Sequence, residues 1–360
     1  MEKSLYFQYT QKFFPQLVTS ITERLNEKRQ NALSYMYRDY LTPVYSADGR
    51  WASVLAEYTR VAADVVALDS ELPLKSRDTL EVAQGLIPKI GMKLYMTEKQ
   101  MKDADNMIAQ GLPIGQIVQN IFADVPRVIE GVYERIEDIF LSELSTGVGL
   151  TPHNNGTGAR VDVGYYNDHK FGCSTAVWAS DPTAPAIDDI QKVFDKALDD
   201  QNTITDIFVD DTWLNAFYKN QQVRQQYAFI QNFVGSNIPN LSFDQARALV
   251  LSKWGVTLHR VARKVKTEIN GTKQNHAPWQ SGMSVFTCNA ILGNLVWTTC
   301  AEVTRPVANV TYQAADDFIL ASRYSTNDPL REFTSSQAMV VPIIDNVDQI
   351  YTLDSTTIIA

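Results

Sequence analysis

A histidine and a cysteine that could act together as a nucleophile stand four positions apart, at His169 and Cys173. A thiol becomes a strong nucleophile when a neighbouring imidazole takes its proton and a third group orients that imidazole. Sequence spacing shows neither contact, and the segment HKFGC equally fits a loop histidine beside a buried thiol. We favour the second interpretation and expect the chain not to be an enzyme. A soluble cytoplasmic enzyme that uses this pair stays open as an alternative.

Acidic pairs and a glycine-rich segment could in principle bind ligands. The acidic pairs lie at 199–200, 210–211 and 316–317, and carboxylate oxygens are ligands that divalent cations prefer. None of the pairs lies in a recognisable binding loop, so solvated helix ends and turns explain them better. The segment GTGAR (156–160) does not join a strand to a helix, so we favour a flexible loop over a phosphate site. We therefore expect no metal and no cofactor.

The charge balance limits how the chain could contact nucleic acid. It has 360 residues, 41 of them acidic and 32 basic, with a formal net charge of −9. A protein that neutralises many phosphates usually has a basic balance or a basic stripe. The one basic cluster, HRVARKVK (259–266), is interpreted as an exposed strand face, with a nucleic-acid contact as the alternative.

The cysteines and the apolar segments indicate in which cellular compartment the protein resides. Three cysteines that lie far apart (Cys173, Cys288 and Cys300) fit neither a disulfide framework nor a zinc site, which favours a reducing compartment. We see no signal peptide in the first residues and no apolar stretch long enough to cross a membrane. We expect no membrane contact.

Most of the chain reads as a mixture of helices and strands, the α+β class. Residues 86–96 alternate, with Leu86, Ile90, Met92, Leu94 and Met96 on one parity, which predicts a strand with one covered face. Residues 57–68 are also rich in strand formers. The two segments predict a long hairpin with a charged tip.

The strongest helical period lies at residues 115–144, where apolar residues form one stripe. The pattern predicts one long amphipathic helix, which Pro126 could kink or split. Charged residues at 124, 127, 130, 134, 137 and 138 are expected mostly to face away from the apolar stripe.

Further helices are predicted at 16–41, 97–111, 187–200, 212–227 and 241–254. Thr97 with Gln100 has the spacing of a capping box, and Ser242 is a predicted cap. Strands are predicted at 159–166, 175–180 and 204–210, within 255–265 and 283–303, and around a turn at 327–329 in the tail.

The order of these parts resembles the major capsid proteins of tailed bacteriophages, lambda-like proteins with the Johnson or Hong Kong 97-like fold. Three stretches carry the likeness: GLIPKIGMKLYMTEKQMKDADNMIAQG, NTITDIFVDDTWLNAFYKNQQVR and the segment from Trp279 to Glu302. The resemblance implies an N-terminal arm (1–55), an extended loop (56–96) and a peripheral domain (97–180) whose spine helix spans about 115–145. It further implies an axial domain (181–320) and C-terminal strands (321–360) that return to the peripheral domain.

The resemblance implies a structural protein that self-assembles, as hexamers and pentamers, into the icosahedral head of a tailed phage. The head would enclose double-stranded DNA without sequence-specific binding. A separate scaffolding protein, a portal and possibly a decoration protein are the implied partners. The implied location is the virion, after assembly in the bacterial cytoplasm. An encapsulin-type nanocompartment shell is the alternative on the same fold.

In this family the extended loop lies over a neighbouring subunit, and its mixed charges would fix register between subunits. The expected contact residues are those of the loop tip: Glu71, Lys75, Arg77, Asp78 and Glu81. A solvent-exposed hairpin tip without a partner is the alternative.

Overall fold

The structure is a computed structural model that describes residues 2–26, 35–56, 80–150, 160–232, 238–269 and 271–359. The chain divides into two compact units. Unit 1 comprises Met1–Trp51, Gly85–Asp138 and Leu295–Pro342. Unit 2 comprises Ala52–Gln84, Ile139–Asn294 and Ile343–Ala360.

The described residues form helices and strands throughout. The helices are α1 (Phe7–Asn26), α2 (Tyr37–Tyr40), α3 (Glu98–Ala109), α4 (Ile114–Ile121), α5 (Val125–Thr146), α6 (Ala186–Asp199), α7 (Asp211–Lys219), α8 (Gln221–Ile230), α9 (Phe243–Trp254) and α10 (Ala301–Thr304). The strands are β1 (Leu41–Tyr45), β2 (Arg50–Ala56), β3 (Leu80–Leu86), β4 (Lys89–Met96), β5 (Val148–Leu150), β6 (Arg160–Asp162), β7 (Lys170–Cys173), β8 (Asp206–Val209), β9 (Thr257–Arg260), β10 (Val265–Ile269), β11 (Thr272–His276), β12 (Met283–Thr287), β13 (Gly293–Thr298), β14 (Thr311–Ala315), β15 (Ile319–Asn327), β16 (Leu330–Ile344) and β17 (Ile350–Ile358).

Unit 1 is built on a sheet with the order β1-β13-β16-β15-β14, in which β4 also pairs with β16. The β15–β16 pair is an antiparallel hairpin whose turn lies where the sequence predicts it, between Asn327 and Leu330. The strand β4 runs antiparallel to β16, with Tyr95 opposite Phe333. The first half of α5 supplies much of the core of this unit, since Val128, Ile129 and Val132 are fully buried.

The long helix predicted at 115–144 is two helices, α4 and α5, separated at residues 122–124. Pro126 explains the break, because it has no N–H to donate and its ring clashes with the carbonyl group four residues before it. The predicted apolar stripe is buried, from Val118 through Ile136 to Leu144. The expectation that the charged positions face away is wrong for Glu137 and Asp138, which are both buried.

Unit 2 contains a five-stranded sheet with the order β7-β17-β12-β8-β9. The outer pairs are parallel and the inner pairs are antiparallel. Helices α6, α7 and α9 contribute apolar side chains to one buried cluster with the sheet, including Ile190, Trp213, Leu249, Phe286 and Tyr351. Trp213 is fully buried in this cluster.

Several local predictions are confirmed. Thr97 and Ser242 each form a complete capping box, with Gln100 and Gln245 respectively. The predicted helix at 187–200 is α6, and the predicted strand at 204–210 is β8.

Other local predictions are wrong. Residues 175–180 form bends and turns rather than a strand. The helix predicted at 212–227 is two helices, because Asn220 ends α7 and its side chain caps α8 by accepting from the N–H of Val223. The helix predicted to begin at residue 16 begins at Phe7, and residues 27–34 lie outside the described residues.

The alternating segment 86–96 is not one strand. The strand β3 ends at Leu86, Pro88 intervenes, and β4 begins at Lys89. Leu86 is 73% exposed, so it does not share the covered face that Met96 occupies. The strand β4 pairs with β16, and the described legs of the hairpin are β2 and β3. Residues 57–68, predicted as the other leg, lie outside the described residues.

Candidate functional site

His169 and Cys173 each have a partner that explains them structurally. The Nε2 atom of His169 lies 3.3 Å from a carboxylate oxygen of Asp200, and its ring stacks on Tyr351 with centroids 4.2 Å apart. The thiol of Cys173 donates to the carbonyl oxygen of Ser355 at 3.2 Å. Burial raises the pKa of Cys173, which favours the thiol over the reactive thiolate. This geometry is that of a structural histidine and a buried thiol.

The acidic pairs at 210–211 and 199–200 take part in local structure. Asp210 caps α7 by accepting from the N–H of Trp213 at 2.9 Å. Asp211 forms an ion pair with Arg260 at 2.6 Å and 3.1 Å. Asp200, just after α6, accepts from Lys196 at 2.8 Å.

Asp316 belongs to a turn between β14 and β15 and accepts a hydrogen bond from the hydroxyl group of Tyr133. Within the described residues, no group of three or more histidine, cysteine or acidic side chains could hold a metal ion. The acidic pairs are therefore helix ends and turns, as their sequence context suggests.

The basic cluster at 259–266 is partly neutralised by acidic neighbours. His259 lies 2.6 Å from Asp206, and Arg260 pairs with Asp211. The strand β9 that carries them is an edge strand of the sheet in unit 2. These contacts favour a role in tying β9 to its neighbours over a contact with phosphates.

The predicted loop tip is positioned by β2 and β3, which pair with each other. Glu71, Lys75, Arg77 and Asp78 lie outside the described residues. Glu81 belongs to β3, and its side chain is likewise outside what the structure describes. The predicted contacts of the tip therefore stay predictions.

A close contact in unit 1 holds the described ends of these two strands together. Trp51 of β2 is buried, and a Cβ atom at Gly85 of β3 would lie 2.6 Å from its Nε1 atom. A larger residue at 85 would push the two strands apart. Position 85 therefore requires glycine, because β3 passes directly over the Trp51 ring there.

The first residues of the chain are fixed by a buried ion pair that sequence reasoning missed. Arg323 and Glu332 are fully buried, with Nε 2.8 Å from Oε1. Arg323 also donates to the carbonyl oxygen of Ile121 at 2.9 Å. Glu332 accepts from the N–H of Leu5 at 2.9 Å and from the hydroxyl group of Ser4. The predicted turn at 327–329 is a sequence signal for this ion pair, because a hairpin there brings positions 323 and 332 together.

A second set of contacts, within unit 1, joins residues 36–38 to α5. Glu137 of α5 accepts from the backbone N–H groups of Met36 and Tyr37 at 3.0 Å and 3.1 Å. The guanidinium group of Arg38 lies 4.5 Å from the ring centroid of Tyr133. These contacts explain why Glu137 is buried although the helical pattern places it opposite the apolar stripe.

Beside Arg38, unit 1 has a cleft of about 210 Å³. It is lined by aromatic, apolar and acidic residues, among them Tyr37, Trp297, Asp317 and Phe318. None of the described helices combines the length and the apolar character that crossing a membrane requires.

Solved structures similar to the chain include the following three. A prophage protein of Escherichia coli CFT073, assigned as a capsid protein, has 11% sequence identity and a TM-score of 0.57, and the match covers 94% of this chain and 98% of that chain. The mature capsid of bacteriophage PhiM1 has 9% identity and a TM-score of 0.47, with coverage of 91% and 89%. A virus-like particle from Pyrococcus furiosus has 9% identity and a TM-score of 0.44, with coverage of 95% and 99%.

No protein-family model matches the sequence, and no curated protein matches it. The likeness to the Escherichia coli protein shows the fold. The chain therefore has the α+β fold of phage major capsid proteins, the Johnson or Hong Kong 97-like fold, as the sequence resemblance implies.

Proposed function

We propose that the chain is the major capsid protein of a tailed bacteriophage, which self-assembles into the icosahedral head that encloses the double-stranded DNA genome. The observation that carries this proposal is the end-to-end structural match to the prophage protein, with 94% of one chain and 98% of the other aligned. A match of this extent leaves little of either chain outside the shared fold. Such a protein acts by occupying repeated positions in a shell and does not catalyse a reaction.

The partners follow from that role. Copies of the chain form hexamers and pentamers, whose repeated interfaces close the shell. A separate scaffolding protein and a portal complete the assembly in the bacterial cytoplasm, a decoration protein is a further candidate partner, and the final location is the virion. The formal net charge of −9 suits a shell that confines DNA without gripping it.

We assign the predicted parts as follows. Residues 1–55 are the arm, 56–96 the extended loop, 97–180 the peripheral domain with α5 as the spine helix, 181–320 the axial domain, and 321–360 the returning strands. The arm is held against its own chain over the residues that contact Glu332 and Glu137.

The shell contents test this function against an encapsulin-type nanocompartment. Particles assembled with the neighbouring phage genes should contain nuclease-protected double-stranded DNA. A stoichiometric cargo enzyme and no DNA would favour the nanocompartment instead.

We also propose that the loop tip contacts a neighbouring subunit through Glu71, Lys75, Arg77, Asp78 and Glu81. Reversing two of these charges, with Lys75→Glu and Arg77→Glu, should block closed shells or replace them by aberrant ones, because charges across an interface set register. Electron microscopy of the assembled material measures the effect. A matched double reversal in α3, Lys99→Glu with Lys102→Glu, should leave shells intact. Normal shells from the loop-tip variant would overturn the assignment.

A further inference from the structure

Three aromatic side chains form a row across the sheet of unit 1. Tyr95 of β4 lies directly opposite Phe333 of β16, which lies directly opposite Tyr324 of β15. Their ring centroids are 5.9 Å and 5.3 Å apart. Such cross-strand pairs stabilise a sheet. They also place three aromatic rings on the same face.

Two cations lie over this row. The Nζ atom of Lys93 is 5.0 Å from the ring centroid of Phe333, and the guanidinium carbon of Arg331 is 4.3 Å from the ring centroid of Tyr95. We call Lys93, Tyr95, Tyr324, Arg331 and Phe333 the cation–aromatic patch. Stacking on a ring holds each cation in place while its charge stays available.

The two cations of the patch differ from Lys89, another lysine of β4, in having no carboxylate partner among the described residues. Lys89 forms an ion pair with Glu302 at 2.9 Å. Within the part of the chain that the structure describes, Lys93 and Arg331 have ring contacts and no carboxylate partner. The patch is therefore a local surplus of positive charge on a chain with 41 acidic and 32 basic residues.

Tyr95 leaves part of its ring accessible to another molecule. Tyr95 is 45% exposed, although Phe333 beside it is buried. Tyrosine and arginine are enriched at the energetic centres of protein interfaces. A large aromatic ring under Arg331, beside a second ring under Lys93, offers apolar area and charge together.

The chemistry that fits this surface is a carboxylate group beside an apolar contact. A long polyanion such as nucleic acid needs many cations, and the acidic surplus of the chain would repel it. A short acidic protein segment needs only the two cations present. If the proposed function holds, the molecules that surround each subunit are copies of this same acidic chain.

We propose that the cation–aromatic patch binds a carboxylate-bearing surface segment of a second copy of the chain. This inference rests on the proposed function. It adds a specific interface on the sheet of unit 1 to the predicted contacts of the loop tip.

The first test reverses both charges with Lys93→Glu and Arg331→Glu. The protein concentration at which assembly begins should rise by about tenfold or more, since about 1.4 kcal/mol corresponds to a factor of ten. Added salt should promote assembly of this variant rather than weaken it, because the reversal places like charges opposite each other and salt screens their repulsion. Light scattering measures both quantities.

The control is the double reversal Lys99→Glu with Lys102→Glu, which makes the same charge change at two exposed positions of α3. It should assemble like the unaltered chain. If circular dichroism shows that the patch variant is unfolded, the neutral variant with Lys93→Gln and Arg331→Gln replaces it. Assembly of a folded patch variant at unaltered concentrations would overturn the inference. Failure of the unaltered chain to assemble would instead contradict the proposed function.

The second test identifies the occupant. A photo-reactive benzoyl-phenylalanine at position 95 is introduced, and nitrogen-14 and nitrogen-15 copies are mixed before assembly. We expect mixed-isotope cross-links to an acidic peptide of the same sequence. Cross-links confined to one copy, or made to DNA or to a different protein, would contradict the proposal.

Discussion

At the scale of single residues, the buried pair of Arg323 and Glu332 is the clearest case of a side chain that holds distant segments together. The two residues join the β15–β16 hairpin to Ser4, Leu5 and the carbonyl group of Ile121. A buried ion pair is costly to desolvate and is retained only with good geometry and further hydrogen bonds. Both conditions are met here.

Arg323→Met should destabilise the unassembled chain by about 3–5 kcal/mol, because Glu332 would be left as an unpaired buried charge. Urea denaturation followed by tryptophan fluorescence measures the loss. The double variant with Arg323→Met and Glu332→Leu is the control, and it should recover much of that stability because no buried charge remains. A single variant as stable as the unaltered chain would show that the pair is not a structural anchor.

Glu143 should make stability depend on pH. Its side chain is fully buried and accepts from the N–H of Ile344 at 3.0 Å. Burial raises the pKa of Glu143 well above its ordinary value, and the neighbouring Asp345 raises it further. A carboxyl group with a raised pKa keeps its proton in the folded state after the unfolded chain has released it. Glu143 therefore destabilises the folded state least at low pH. The free energy of unfolding falls as pH rises above about 4.

Glu143→Gln should remove this loss, so the variant should gain stability relative to the unaltered chain as pH rises from about 4 to 7. The gain should be smallest near pH 4, where the folded and unfolded chains both hold this proton, and largest at pH 7. Denaturation at a series of pH values measures it. Glu23→Gln, at an exposed position of α1, should show no such trend. A gain that does not grow with pH would contradict the assignment.

At the scale of elements, local signals in the sequence define several boundaries. The capping boxes of α3 and α9 need only two side chains three residues apart, so the sequence alone predicts them. Ser242→Ala should destabilise the chain by about 1 kcal/mol, because an N–H group of the first turn of α9 loses its acceptor. Thermal unfolding measures the change. Ser242→Asn keeps a capping side chain and should cost much less, and an equal loss in both variants would contradict a capping role.

Other features of the elements depend on contacts that are distant in sequence. The helical period places Glu137 away from the apolar stripe, yet Glu137 is buried because it binds the backbone of residues 36 and 37. The alternating pattern at 86–96 identifies extended chain but not its neighbour, which is β16. The sequence pattern therefore predicts the type of an element, and pairing partners far along the chain decide its surroundings.

At the scale of the whole molecule, the order of the parts predicts the fold although each motif is weak alone. Along the sequence, a hairpin, the helices α3 to α5 and an α/β segment follow one another, in the order that the resemblance to phage major capsid proteins implies. The predicted contacts of the loop tip could not be tested in the same way, because four of the five tip residues and the side chain of Glu81 lie outside the described residues. The cation–aromatic patch had no sequence signal, since the register of three strands creates it.

Negative-stain electron microscopy of the purified chain, expressed alone and with its neighbouring genes, tests the central claim most directly. We predict closed shells, capsomer rings or tubes, with the diameter of the closed shells bounding the number of subunits. Discrete small particles under every condition would contradict a capsid role. Cys173→Ser would then test the remaining enzyme alternative, which requires that variant to lose an activity.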